Sequence, residues 1–349
     1  MPVKALGSRL LLVGVLALSF ALAAASEAAR SDEAAAVMAK AASAFLDGLD
    51  ESQRAKASFA FNSPVRLDWH FVPRERQGLA IGELSEKSRK ELDALIDSGL
   101  SSTGHRKFKD VLELEGVLRE REGPGRDPGK YHVAIFGKPG TDPWGWRFEG
   151  HHWTAHFTSV DKEVIAVTPS FVGANPSNWS RCDNECWSFI RPLAAEEERA
   201  SALVTCLRFE PEMLERARLR GKLPQDVLLD PSKSRLTGEP AGVRASDLTP
   251  KKRELLLAIV DGYFADLSAD LAARERARFA QHPLDKLYFA WAGENAGLGP
   301  WYWRVQGDYF AIEFVYPRGE VNHAHRIWRD FERDLGGDAL REHLAGEKK

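Results

Sequence analysis

Apolar positions recur along the chain with two different periods, and the switch between them predicts where helices give way to strands. Residues 31–57 are Ala-rich and predict helix. Residues 86–98 and 105–121 place apolar side chains three and four positions apart, the signature of amphipathic helices, and the second run stops at the turn-forming GPGRDPG. The period then falls to two. Segments 131–137, 144–149, 151–158 and 163–168 predict an antiparallel meander with Gly and Pro at its corners. A further helix is expected over 194–219, and the polar stretch 221–247 reads as a connecting loop. A second helix pair with its own strands occupies 250–316. Runs of helices followed by runs of strands indicate an α+β fold.

The chain also repeats itself. LSEKSRKELDALIDSGL (84–100) resembles LTPKKRELLLAIVDGYF (248–264), with Arg89 and Arg253 at matching places. Ser85 and Thr249 are expected N-caps, and Pro250 suits a first helical turn. Further on, the segment 131–160 resembles 288–317: Trp144, Trp146, Arg147 and Gly150 answer to Trp301, Trp303, Arg304 and Gly307. The expected architecture is an internally duplicated helix-pair and meander unit, with halves at 26–220 and 248–349 related by a pseudo-twofold axis. One compact domain with a site between the halves is the natural outcome.

Composition adds location and exclusions. Lys4 and Arg9 precede the apolar run LLLVGVLALSFALAAA, and Ala23 and Ala25 stand at A-x-A spacing before Ser26. This predicts a signal peptide over 1–25 and a periplasmic or secreted protein with no stable membrane span after cleavage. A retained anchor is the alternative, since the run approaches a spanning length. Forty-eight basic and fifty-one acidic residues leave a formal charge of −3, with no basic block, so a nucleic-acid partner is not expected. Cys182 and Cys186 are spaced for a disulfide, with Cys206 left over, and no neighbouring Cys or His pair completes a structural zinc site. P-loop, dinucleotide, HExxH and GxSxG motifs are absent from the sequence.

The candidate chemistry is imidazole. EGHHWTAHF (149–157) holds three of the chain's ten histidines. On the predicted strand one face carries His152, Thr154 and His156, and the other His151, Trp153, Ala155 and Phe157. In the repeat, Glu313 stands where His156 does, within the apolar run YFAIEFVY, where a carboxylate needs a partner. NHAHRIWRD then offers His323 and His325, which a strand would direct to one side roughly 6.5–7 Å apart. Two or three imidazoles plus a carboxylate are the ligand set of catalytic zinc and non-haem iron sites, with copper also possible. The plainer reading is that these histidines only hydrogen-bond, as expected for the isolated His70, His105, His132, His282 and His343. Arg147 and Arg304 either pair with carboxylates such as Glu149 and Glu313 or hold an anionic substrate.

RLDWHFVPRERQGLAIGELS, YHVAIFGKPG followed by PWGWRFEGHHW, TPSFVGANPS, and NHAHRIWRD followed by DLGGDALREH resemble the uncharacterised family catalogued as domain of unknown function 3500. The resemblance runs from about Arg66 to His343 and implies no reaction. It marks the Gly-His-His and Asn-His-x-His segments as hallmarks, and His151, His152, His323 and His325 fall on them. The expectation is an exported metal-dependent enzyme in which His152, His323 and His325 bind a divalent ion, zinc before iron or copper. Glu313 would be the fourth ligand or general base, and His151 or Arg304 would orient the substrate or stabilise developing negative charge. Hydrolysis of a small molecule needs no further cofactor and is favoured over iron or copper oxidoreductase chemistry. The rivals are a non-catalytic periplasmic protein holding a metal or small anion, and a structural domain with no site.

Overall fold

The computed structural model describes residues 33–160, 162–183, 186–294 and 299–346; the expected signal peptide lies outside them. Chain order runs α1 (33–47), α2 (Glu51–Ala57), β1 (Ser58–Phe59), β2 (Leu79–Ala80), α3 (Glu86–Gly99), α4 (Ser102–Glu122), β3 (His132–Phe136), β4 (Trp144–Gly150), β5 (Trp153–Val160), β6 (Glu163–Ala166) and β7 (Ser170–Ala174). The small hairpin β8 (Trp179–Asp183) and β9 (Cys186–Ile190) follows, then α5 (Ala194–Leu207), α6 (Pro211–Ala217), β10 (Val243–Arg244), α7 (Pro250–Phe264) and α8 (Ala269–Ala280). The chain closes with β11 (Tyr288–Gly293), β12 (Trp301–Gln306), β13 (Phe310–Val315), β14 (Ala324–Asp330) and α9 (Gly337–Gly346). The class is α+β.

One sheet runs through both halves in the order β1-β3-β4-β5-β7-β14-β13-β12-β11-β10, with β2 on β3 and β6 on β5. Its centre is the antiparallel pair β7–β14, where His325 lies opposite Gly173 and Arg326 opposite Val172. Alternation decides what each face carries. On β4, Trp144, Trp146 and Phe148 join the large core beneath α3, α4, α5 and α7, as do Trp301 and Trp303 of β12. Each such side chain contributes about 1.5–3 kcal/mol of burial. The intervening positions face a second, smaller core, in which Tyr302, Val315 and Ile327 meet Trp69 and Phe71 and also Val227 and Leu229. That face is covered by loops, and it holds Arg147, Glu149, His156, Arg304, Glu313, His325 and Arg329, all buried.

Segments that resemble each other in sequence make several similar contacts. Trp146 stacks on Phe157 at 4.7 Å and Trp303 on Phe314 at 5.6 Å. Arg147 lies opposite His156, and Arg304 opposite Glu313. Arg89 donates to the carbonyl of Ile81 at 2.8 Å and Arg253 to that of Ala245 at 3.0 Å, each closing the turn before its own helix. The helix pairs also meet reciprocally: Ser101 N donates to Asp266 O at 2.9 Å and Ser268 N to Gly99 O at 3.0 Å.

Several expectations change. Ser85 caps α3 by accepting from Ser88 N, but Thr249 makes no side-chain cap bond. The helix expected over 194–219 is two helices, because Pro211 opens a new first turn and cannot continue the old one. The strand expected from 151 begins at Trp153; His151 and His152 form a two-residue connection between β4 and β5. Strands β7, β8 and β9 were not anticipated. Cys182 and Cys206 are free thiols, so the disulfide expected at Cys182 is not formed. The stretch 221–247 is more than a connector: Leu228 and Leu229 donate their amides to Glu313 at 2.7 and 2.9 Å. Arg329 donates to the carbonyls of Leu229 and Lys233 at 3.0 and 2.8 Å, clamping the same loop over the sheet.

Candidate metal centre

The β14 alternation aims His325 at the loop-covered face, and His323 reaches the same spot from the turn just before the strand. The third imidazole comes from the β4–β5 connection. His152 has φ 63°, a left-handed conformation uncommon for a residue with a Cβ. It is held there from both sides, its N–H donating to Phe71 O at 3.0 Å and its carbonyl accepting from Gly173 N at 2.7 Å. The ring lies directly over Gly173, where a Cβ would approach its Cδ2 to 2.6 Å. Only glycine leaves room.

The three rings converge through their Nε2 atoms. His323 Nε2 is 3.0 Å from His152 Nε2 and 2.9 Å from His325 Nε2, and the set closes within 4.8 Å. A tetrahedral ion with metal–nitrogen bonds of about 2.0–2.1 Å holds its nitrogens roughly 3.3 Å apart, and the separations of 2.9 and 3.0 Å come within a few tenths of an ångström of that. Burial pushes His152 well below the usual histidine range, helped by His151, His325 and His323. Burial and the charge of His325 push His323 down to about 3. Both rings are therefore neutral at ordinary pH and offer lone pairs. His325 donates from Nδ1 to Asp226 Oδ1 at 2.7 Å, which leaves its Nε2 to face the centre. Burial raises the Asp226 carboxyl, but the bond from His325 and that histidine's charge more than offset this, and the net shift is downward.

A cavity of about 490 Å³ opens onto the three rings, walled by Phe71, Val72 and Pro73 on one side and by Gln225, Asp226, Pro317 and Arg318 on another. Were the three imidazoles to hold an ion, the adjoining cavity would leave a coordination position for water or substrate. His151 lines this cavity without joining the ligands. It stacks on His152 at 3.7 Å, with Nδ1 2.5 Å from Glu115 Oε2 and Nε2 3.1 Å from Arg126. Arginine can only donate, so His151 is the neutral tautomer with its proton on the Glu115 side. Burial, followed by opposing effects of Glu115 and Arg126, leaves its pKa lowered.

The structure does not bring Glu313 to the ligands. Both carboxylate oxygens are taken by the Leu228 and Leu229 amides and by Tyr302 Oη, the last at 2.8 Å, so Glu313 anchors the loop that carries Asp226. Burial raises its pKa, with those three donors and Arg304 opposing. Arg304 lies beside Glu313 and, like it, is absent from the cavity wall. His156 is also apart, bonded through Nδ1 to Pro169 O at 2.8 Å. Arg147 takes the pairing alternative, with Nε 3.2 Å from Glu149, which Arg76 also holds at 2.7 Å. Asp226 and Gly173 escaped sequence reasoning; their only signals were an Asp in a polar loop and a Gly within TPSFVGANPS.

The family model described as "Protein of unknown function (DUF3500)" matches residues 31–337. The chain belongs to this family. The match spans both halves and includes all three converging histidines. No curated protein and no solved structure matches the chain.

Proposed function

We propose that this member of the family is an exported metal-dependent enzyme, a hydrolase of a small molecule, with a divalent ion held by His152, His323 and His325. The convergence of three buried imidazoles beside an open cavity carries the reading. Zinc suits three nitrogens without a thiolate, and iron or copper are the alternatives. Bound by His152, His323 and His325, such an ion would supply Lewis-acid polarisation of the bond to be broken and a water of pKa about 7, and this chemistry would not need Glu313 as a base. Arg126, Arg318, Asn175 and Gln225 line the cavity and suit an oxygen-rich or anionic substrate. Export rests on the N-terminal basic, apolar and A-x-A pattern.

A non-catalytic metal-binding role has one observation in its favour: both cavity arginines are already paired, Arg126 with Glu122 at 2.7 Å and Arg318 with Glu320 at 2.9 Å. Elemental analysis of tag-free protein should find close to one zinc, iron or copper per chain. Metal-free protein that also fails to take up these ions on titration would end the proposal. An exchangeable water on the bound ion supports the enzyme, and a closed shell supports the binder. The matching registers and helix contacts further support an origin of the two halves by duplication, with the pseudo-twofold axis between β7 and β14.

A further inference from the structure

We propose that Glu320 is the positioning residue for His323, exchanging its present partner Arg318 for the His323 ring when a metal ion binds; this rests on the metal reading above. Each ligand needs something behind it. His325 has Asp226 on its Nδ1 at 2.7 Å. His152 is pinned through its backbone to Phe71 and Gly173 and lies against His151. His323 alone among the three has a buried Nδ1 with no hydrogen-bond partner. The carboxylate beside it is Glu320, with Oε2 3.6 Å away, and the His323 N–H already donates to the Glu320 carbonyl at 2.8 Å.

That gap is about 0.8 Å longer than a charge-assisted hydrogen bond. Glu320 is half exposed and lines the cavity, so a small rotation of its side chain closes the distance. What holds it back is the pair with Arg318, at 2.9 Å from Nε and 3.3 Å from Nη2. Both partners of that pair are solvent-exposed, and exposed ion pairs are weak. A cation on His323 Nε2 withdraws charge from the ring and makes Nδ1–H a stronger donor, which tips the balance toward the histidine. The result is a second carboxylate–imidazole–metal unit matching Asp226 and His325, with Arg318 released at the cavity mouth.

The test measures zinc affinity by chelator competition and the visible spectrum of the cobalt-substituted protein, in the wild type, Glu320→Gln and Arg318→Ala. Glu320→Gln should bind zinc about tenfold more weakly and shift the cobalt bands. Arg318→Ala, which frees the carboxylate, should bind as tightly as the wild type or more tightly. Glu320→Gln within twofold of the wild type overturns the inference alone, as does Arg318→Ala weakening binding as much as Glu320→Gln. A wild type that takes up neither ion overturns the metal reading and this inference with it.

Discussion

The His323→Ala/His325→Ala double variant should lose metal affinity by roughly four orders of magnitude, and Gly173→Ala, which removes no ligand, should lose about ten- to a hundredfold. The first figure follows from about 10–16 kcal/mol shared among four ligands in a structural zinc site, or roughly 3 kcal/mol for each of the two removed. The second follows from packing. A methyl on Gly173 would lie 2.6, 2.8 and 3.0 Å from Cδ2, Cγ and Cβ of His152, well inside contact distance. The near end of the ring cannot retreat, because the His152 backbone is bonded to Phe71 on one side and Gly173 on the other. The imidazole must tilt away from its two partners, and displaced ligand geometry weakens binding on the scale of a lost outer-shell partner. Overpacking should also cost about 1–3 kcal/mol of stability. Metal titration with a thermal melt checks both, and a Gly173→Ala protein with wild-type affinity contradicts this account of the site.

Removing Asp266 should destabilise the protein by about 3–5 kcal/mol, a fall in melting temperature on the order of 10 °C. Beneath the sheet, on the face opposite His325, four charges alternate in a closed square. Lys107 Nζ lies 2.5 Å from Glu196 Oε1 and 3.0 Å from Asp266 Oδ2, while Arg326 bonds the same two carboxylates, Glu196 at 2.7 Å. All four side chains are buried. They tie α4, α5 and the end of α7 to β14, the strand that presents His325. Asp266→Ala leaves two buried cations with one carboxylate, and an uncompensated buried charge is far costlier than an intact pair is stabilising. The double variant Lys107→Met/Glu196→Gln removes one charge of each sign and keeps Arg326 with Asp266. Its loss should be smaller than the sum of its single variants, measurable as a coupling of at least about 1 kcal/mol in denaturant unfolding. Strict additivity would mean that the square does not act as a unit.

What was legible in the chain followed from local periodicity. The helix read over 86–98 spans Glu86–Gly99, and that read over 105–121 lies within Ser102–Glu122. Alternation on the strand read over 151–158 separates Trp153, Ala155 and Phe157, which join the core, from Thr154 and His156 on the other face. Failures came where neighbours in space are remote in sequence. Glu313 on its apolar strand did have partners, but beside the Tyr302 hydroxyl they are the backbone amides of Leu228 and Leu229, which have no side-chain signature. The polar, aperiodic stretch around Asp226 gave no hint that it folds back over the sheet, because its order comes from Glu313 and Arg329 rather than from its own pattern.

The local code, then, determined an α+β chain, which side chains share a strand face, and the identity of three histidines able to serve one ion. Periods of two and 3.6 are properties of the backbone, so they are readable without knowing what packs against them. Only the tertiary structure decided that β7 pairs with β14, which sets His152 over Gly173 and beside His323 and His325. It alone kept Glu313 apart from the three histidines and placed Asp226 behind His325. Those outcomes depend on contacts between segments 84 to 171 residues apart, whose pairing is fixed by the closing of the whole sheet and not by any short stretch within it.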